Sequence, residues 1–280
     1  MRIAISNIAW DVSEDRDVVS LLRRYDVDAI DIAPGKYFPD PSRVELANIQ
    51  RVRDWWNALG IEITGMQALL FGTTGMNLFG SDSTQTRMLN HLNAVCRIGS
   101  GLGATRLVFG SPKNRDRTGL SDDEAVEIAV HFFRRLGDIA ASHGVTVCLE
   151  PNPPRYGANF MTLSAETARV VSAVDHSAIR MQLDTGAMTI NGESTEQVIR
   201  EYALLIGHIH ASEPDLVSLG DGPTDHAITG TLLKAALPNH VVSIEMLAAK
   251  DESHLSAIER ALQVAIQNYR SDADREGITA

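Results

Sequence analysis

Eight short runs of β-branched and other apolar residues alternate with longer amphipathic stretches along the whole chain. Such alternation is typical of repeated β–α units, which build a parallel sheet covered by helices. The runs begin at Arg2, Asp28, Ile61, Thr105, Val145, Ile179, Leu205 and Val241. Eight consecutive units favour closure of the sheet into a (β/α)8 barrel.

A doubly wound open sheet is the alternative that the same repeats allow. It is disfavoured because no GxGxxG follows the first run and the chain has no Walker lysine. The length of 280 residues suits one barrel, and no Pro/Ser-rich linker divides the chain. We therefore predict one domain over residues 1–280, with a frayed polar tail from about residue 271.

Several helix ends are marked by local signals. Ser42 with Glu45, and Ser121 with Glu124, have the spacing of capping boxes at helix N-termini. Glycines commonly follow the last residue of a helix, because they adopt the left-handed conformation there without strain. Two glycines in such positions are Gly60 and Gly144.

Composition limits the partners. A formal net charge of −11 and the lack of a long basic stripe disfavour nucleic-acid binding, which depends on Lys and Arg. No run approaches the ~18 apolar residues of a membrane span, and the N-terminus does not resemble a signal peptide. Cys96 and Cys148 lie in apolar patterns without CxxC spacing, so we expect reduced, buried thiols. These features predict a cytoplasmic protein.

The last four strands share a pattern at their ends. Side chains alternate between the two faces of a strand, and the apolar half of each strand should face the helices. The inward half then ends in a polar residue at the C-terminal mouth, where barrel active sites lie. The four residues are Glu150, Asp184, His210 and Glu245.

Any one of these four alone is better interpreted as a polar residue at the start of a loop. Together, three converging carboxylates would repel one another and have raised pKa values, whereas a divalent cation would neutralise them. Three oxygen donors and one imidazole suit Mn²⁺, Mg²⁺, Co²⁺ or Zn²⁺. We therefore predict one divalent metal ion and a substrate that chelates it through two oxygens.

The motifs around these residues, CLEPNP, LDTG, HIHASEPD and SIEM, resemble the four metal-ligand positions of the xylose isomerase-like barrel superfamily. The nearest pattern is that of the D-tagatose 3-epimerase group, and the resemblance covers nearly the whole chain. The LGDG that begins at Leu219, followed by Asp225 and His226, resembles the loop after the seventh strand in these enzymes.

The resemblance implies a metal-dependent epimerase or isomerase acting on a sugar or sugar derivative. In that mechanism the metal holds a carbonyl and a neighbouring hydroxyl, and the reaction passes through a metal-stabilised enediolate. Glu150 and Glu245 would take and return the proton, and Asp184 and His210 would be ligands only. A carboxylate that shares the ion is close enough to act as acid or base.

Three positions depart from the epimerase pattern. The histidine that these enzymes carry three residues after the strand-six aspartate is Ala187 here. The glutamate six residues beyond the strand-five ligand is Tyr156, and the arginine after the strand-seven motif is Leu216. We therefore expect a binding pocket different from that of the free-ketohexose epimerases.

Basic residues follow several strands at the predicted mouth. They are Lys36, Lys113, Arg115 and Arg155. Contact with an anionic sugar phosphate or sugar acid would give these charges a function. Solvated loop charges are the alternative. With them we group Tyr156 and His226 as candidate substrate contacts, although His226 equally suits a loop-capping role, and we expect His208 to pack inside the barrel.

Aromatic residues follow strand ends as well, and they suit either walls for a sugar ring or packing at the mouth. They are Trp10, Phe71, Phe79 and Tyr156. Trp55 and Trp56 are neighbours in a helical pattern, so one should be core and the other partly exposed. A subunit contact there, and hence a homo-oligomer, stays open.

Other chemistries fit the same barrel. A sugar or cyclitol dehydratase would use the same metal-stabilised enolate and expel a β-hydroxyl, and a metal-dependent lyase or hydrolase is a further alternative. A nuclease like endonuclease IV is disfavoured, because MQALLFG and LVFGSP lack the extra histidines of a three-metal cluster. A non-catalytic binding protein is disfavoured because all four ligand positions are kept.

Overall fold

The computed structural model describes residues 1–270 and contains a closed barrel of eight parallel strands. The strands are β1 (Arg2–Ser6), β2 (Ala29–Ile32), β3 (Glu62–Met66), β4 (Arg106–Phe109), β5 (Thr146–Leu149), β6 (Ile179–Asp184), β7 (Ile206–Ser212) and β8 (Val241–Glu245). Each pairs with the next, and β8 pairs with β1. The predicted barrel is confirmed, with strand ends within two residues of those expected. The predicted frayed tail lies outside the described residues.

Helices follow the strands and pack against the barrel. They are α1 (Asp15–Arg24), α2 (Leu46–Ala58), α3 (Asp82–Leu102), α4 (Asp122–Ser142), α5 (Ser164–Val174), α6 (Thr185–Asn191), α7 (Thr195–Tyr202), α8 (His226–Ala236) and α9 (His254–Tyr269). In the described part of the chain, none of them has the length and apolar character needed to cross a membrane.

One predicted capping box is confirmed and the other is wrong. Ser121 and Glu124 cap α4 reciprocally, because each backbone N–H donates to the other's side chain. Ser42 does not cap a helix. Its hydroxyl donates to Asp40 Oδ1 at 2.6 Å within a short 3-10 turn, and α2 begins only at Leu46.

The expected glycine helix ends and buried groups are present. Gly60 and Gly144 have φ values of 77° and 69°, as residues that follow a helix end often do. Cys96 and Cys148 are free and buried. In the tryptophan pair, the second ring is fully buried and the first is partly exposed.

A buried pair lies one layer below the predicted metal site. His208 Nε2 is 2.6 Å from Asp31 Oδ2, and both side chains are almost completely buried, so the expected packing of His208 is confirmed. A Cβ atom at Gly65 would lie 2.5 Å from Asp31 Oδ1. The barrel interior therefore has room for this carboxylate only because β3 carries a glycine there.

The register between β6 and β7 sets the height of the next layer. It shifts between Met181 and Gln182, so that Asp184 pairs with His210. Neighbouring strands in a parallel sheet lie about 4.8 Å apart, so paired inward residues are side by side. This shift therefore brings the ends of β6 and β7 to one level.

Candidate metal centre and its cavity

The four predicted ligands converge at the C-terminal mouth of the barrel. His210 Nδ1 lies 3.4 Å from Glu150 Oε1, 3.2 Å from Glu245 Oε2 and 3.9 Å from Asp184 Oδ2. One ligand atom from each of the four lies within 4.8 Å of the others, and all four residues are buried or nearly so. The cluster has the size and the donors of a site for one divalent ion.

The electrostatics of this cluster favour a cation. Burial, together with Glu245 and Glu150, raises the pKa of Asp184 well above its usual range. Burial alone would lower the pKa of His210, but the facing Glu245 and Glu150 outweigh it and raise that pKa. Glu150 Oε1 is buried and accepts no hydrogen bond from the described residues. A divalent ion would supply the positive charge and the partner that these atoms lack.

Two amide side chains hold the outer oxygens of the glutamates. Asn152 Nδ2 donates to Glu150 Oε2 at 3.0 Å, and Gln67 Nε2 donates to Glu245 Oε1 at 2.6 Å. The sequence reasoning missed both amides. Alternation along β3, which turns Gly65 inward, would have indicated Gln67; Asn152 lies in a loop and had no such signal.

Asp184 is held from two sides. Its Oδ1 accepts the N–H of Ala187 at 2.6 Å, which caps α6, and its Oδ2 accepts the hydroxyl of Ser212 at 2.9 Å. Ser212 was also missed, although it follows His208 and His210 in the inward alternation of β7. Fixed carboxylate oxygens suit a ligand that need not move during a reaction.

A cavity of about 550 Å³ opens above this cluster. Its floor contains Glu150, Asp184 and Glu245 together with the two amides. The volume lies in the ~300–1,000 Å³ range that is usual for small-molecule sites. The cluster is therefore open to a ligand of that size.

Among the other predicted contacts, Tyr156 lines this cavity. Its hydroxyl accepts the N–H of Asp215 at 2.7 Å. Arg155 Nη2 pairs with Asp215 Oδ2 at 2.5 Å and is exposed. Lys36 Nζ donates to the carbonyl of Asn7 at 2.7 Å and to that of Trp10. Neither basic residue belongs to the lining.

The remaining candidates also lie outside the lining. Lys113 is exposed. Arg115 is fully buried, donates to the carbonyl of Glu150 at 2.6 Å, and has its pKa lowered to about 10 by burial. His226 is buried between Glu213 and Tyr269, at 3.0 and 2.6 Å, which supports its loop-capping role. The structure thus gives these groups no contact with the cavity.

The aromatic residues at the mouth divide into two kinds. Phe71 and Tyr156 line the cavity, and Phe71 is 88% exposed. Trp10 is buried and donates to Asp15 Oδ1 at 2.8 Å. Phe79 packs edge-on against Phe160, which leaves it to stabilise the mouth.

The comparisons with known proteins identify the family. A family model described as a xylose isomerase-like TIM barrel matches residues 19–268. The chain belongs to this family. In sequence it is similar to a D-psicose 3-epimerase from Ruminiclostridium cellulolyticum, with 31% identity over 87 residues. That match spans 31% of this chain and 29% of the length of the curated relative.

Two solved structures superpose along nearly the whole chain. An L-ribulose 3-epimerase superposes with a TM-score of 0.80 at 19% identity, covering 100% of this chain and 98% of its own. The IOLI protein with a bound zinc atom gives 0.75 at 16% identity, covering 97% and 100%. At such identities the likeness shows the fold. The membership predicted from the strand-end motifs is confirmed.

Proposed function

We propose that this xylose isomerase-like barrel is a divalent-metal-dependent epimerase or isomerase of a sugar or sugar derivative, and that it transfers a proton on the carbon beside a carbonyl. One observation carries the proposal: Glu150 and Glu245 reach the same centre from different strands, each with one oxygen towards it and the other held by an amide. The similarity to ketose 3-epimerases supports the same reaction class.

Glu150, Asp184, His210 and Glu245 would hold the ion, and Mn²⁺, Mg²⁺, Co²⁺ and Zn²⁺ all suit this donor set. When bound, a divalent ion polarises a carbonyl and makes the neighbouring C–H more acidic. Asp184 has both oxygens occupied by hydrogen bonds from the protein, so it serves to hold the ion rather than to move protons.

The two glutamates carry out the proton transfer. One carboxylate removes the proton from the carbon, and the C–H electron pair moves towards the carbonyl oxygen to give an enediolate. The other glutamate, protonated at the start, returns a proton to the opposite face of the carbon. Exchange with solvent then restores both groups. Because Glu150 follows β5 and Glu245 ends β8, they approach a substrate from different sides of the mouth.

The test is incubation of the metal-loaded protein with ketoses such as D-tagatose in deuterium oxide. The proposal expects deuterium on the carbon beside the carbonyl, in both recovered substrate and product, without loss of water. A product lighter by one water would replace the proposal with a dehydratase. Bond cleavage would replace it with a lyase or hydrolase.

A further inference from the structure

The cavity above the metal cluster has two chemically different halves. Its floor carries the carboxylates and the amides of Gln67 and Asn152. Its outer wall is formed largely by apolar side chains. The wall includes Leu70, Phe71, Val108, Ala187, Leu216 and Leu247.

The polar side chains within this wall are already bonded to other parts of the protein. Ser111 Oγ donates to Asn114 Oδ1 at 2.6 Å, so its proton is not directed at a ligand. Asp215 pairs through Oδ2 with Arg155, and the hydroxyl of Tyr156 accepts the N–H of Asp215. The wall therefore offers few free donors or acceptors to a hydroxylated ligand.

Glu213 is the other acid in the wall, and it is satisfied as well. Its carboxylate accepts the N–H groups of Gly220 and Thr224 at 3.0 Å each, and it pairs with His226. The carboxylate is almost completely buried. Glu213 therefore serves the loop after β7 rather than a ligand.

The backbone of that loop presents a leucine to the cavity. Leu216 has a φ of 54°, in the left-handed region that a leucine rarely adopts. Its N–H donates to the carbonyl of Glu213 at 3.0 Å, and its own carbonyl accepts the N–H of Leu247 at 2.9 Å. These bonds hold Leu216 beside Leu247, which is 52% exposed. The two leucines form an apolar rim of the cavity.

Charge also restricts the ligand. Among the described residues that line the cavity there is no lysine, arginine or histidine, whereas five are carboxylates. An anionic substituent on the ligand would meet no basic side chain there. Buried hydroxyls would lose hydrogen bonds to water without replacement, but an apolar group would gain by leaving water.

We propose that the substrate is a neutral sugar derivative, a hydroxyketone that carries an apolar substituent such as an alkyl or aryl group, and that the rim of Leu216 and Leu247 binds this substituent. The carbonyl and hydroxyl of this substrate would lie at the metal cluster. For that part of the ligand, the inference rests on the proposed function. Leu216 and Leu247 then determine specificity against free ketohexoses.

The test is calorimetric binding of small hydroxyketones to the Mn²⁺-loaded protein. 2-Hydroxyacetophenone and hydroxyacetone share the chelating group and differ in phenyl against methyl. We expect the phenyl compound to bind at least about tenfold more tightly, which corresponds to about 1.4 kcal/mol. Its affinity should also exceed the affinities of D-tagatose and 4-(hydroxyacetyl)benzoate. Equal affinities of the phenyl and methyl compounds, or tighter binding of the sugar or the carboxylate, overturn the proposal.

A substitution locates the effect. Leu216→Asn introduces a residue that tolerates the left-handed conformation, so the backbone can stay as it is while the rim becomes polar. It should remove most of the phenyl preference over hydroxyacetone. Leu204→Asn is the matched control, because Leu204 is 89% exposed and lies outside the cavity lining. An unchanged phenyl preference in Leu216→Asn, with both variants folded, contradicts the proposal.

Chelation separates this inference from the proposed function. If removal of the metal abolishes binding of both ketones, the metal anchors the hydroxyketone group as the proposed function requires. The phenyl preference of the metal-loaded protein then decides whether the rim binds an apolar substituent. If the phenyl compound still binds tightly without metal, the apolar rim is supported and the metal anchor of the proposed function fails.

Discussion

Gln67 donates a 2.6 Å hydrogen bond from Nε2 to Glu245 Oε1, and this bond connects the loop after β3 to the end of β8. Asn152 holds Glu150 in the same manner at 3.0 Å. In both cases the opposite oxygen of the glutamate faces His210. The two amides therefore orient the two groups to which we assign the proton transfer.

Replacing Gln67 by methionine removes this donor while keeping the length of the side chain. We expect Gln67→Met to lower the rate of deuterium exchange into a bound hydroxyketone by about 10–100-fold, the usual effect of losing a group that orients a metal ligand. Gln197→Met is the control, since Gln197 is exposed and its side chain donates to Glu201 on α7, away from the cavity. A wild-type exchange rate in Gln67→Met would show that the orientation of Glu245 does not depend on this bond.

The protein should bind about one divalent ion at the predicted cluster. Elemental analysis after dialysis measures the stoichiometry, and a ligand at 100 times its Kd should raise the free energy of unfolding by ~2.7 kcal/mol. Asp184→Asn should remove most of this stabilisation, because the cluster loses a charged ligand. Glu14→Gln should keep it, since Glu14 belongs to a surface group in which it already pairs with His254. Equal stabilisation of both variants would place the ion elsewhere.

Glu213 should make stability depend on pH. Burial alone would raise the pKa of Glu213, but hydrogen bonds with His226 and Thr224 outweigh it and lower that pKa below 4.5. A lowered pKa in the folded state contributes stability above the unfolded value, and this contribution is lost as the pH falls through the folded pKa.

We therefore expect Glu213→Gln to cost about 1–3 kcal/mol near pH 7. Its difference from the wild type should shrink below about pH 4.5, as the wild-type carboxylate takes up a proton. Denaturant unfolding over this range measures the effect, and Glu127→Gln, on the exposed face of α4, is the control. A stability difference between the wild type and Glu213→Gln that is constant with pH would contradict the lowered pKa of Glu213.

Gly65 should tolerate no side chain. A Cβ atom there would lie 2.5 Å from Asp31 Oδ1 in the barrel interior, so Gly65→Ala should destabilise the protein by about 1–3 kcal/mol. At Gly35 a Cβ atom meets nothing within 4 Å, so Gly35→Ala should leave the unfolding midpoint nearly unchanged. Similar midpoints for the two variants would mean that Asp31 moves freely in response.

The strands and the four ligand positions could be predicted because both depend on strict local rules. Alternation along a strand fixes which face each residue occupies, so Glu150, Asp184, His210 and Glu245 followed once the strands were located. The same rule applied to β2 and β3 would have found Asp31 and Gln67. What it cannot supply is the course of the loops.

The features that the sequence did not predict lie mainly in the loops. Ala68, Asp215 and Leu216 adopt left-handed backbone conformations without being glycine, so their sequence gave no sign of the turn. Lys36 and Arg115 follow strands as predicted, but their charged ends donate to backbone carbonyls instead of reaching the cavity. Satisfaction of buried carbonyl groups depends on tertiary geometry that a strand pattern does not contain.

The most direct measurement is the rate at which solvent deuterium enters the carbon beside the carbonyl of 2-hydroxyacetophenone, with the protein loaded with Mn²⁺. We predict that the wild type exchanges this position and that chelation stops it. Glu150→Gln and Glu245→Gln should each lower the rate by at least about 100-fold while the protein stays folded, since general acid–base groups typically contribute ~10²–10⁴-fold. Exchange at the wild-type rate in either glutamate variant, or in the metal-free protein, would contradict the proposed mechanism.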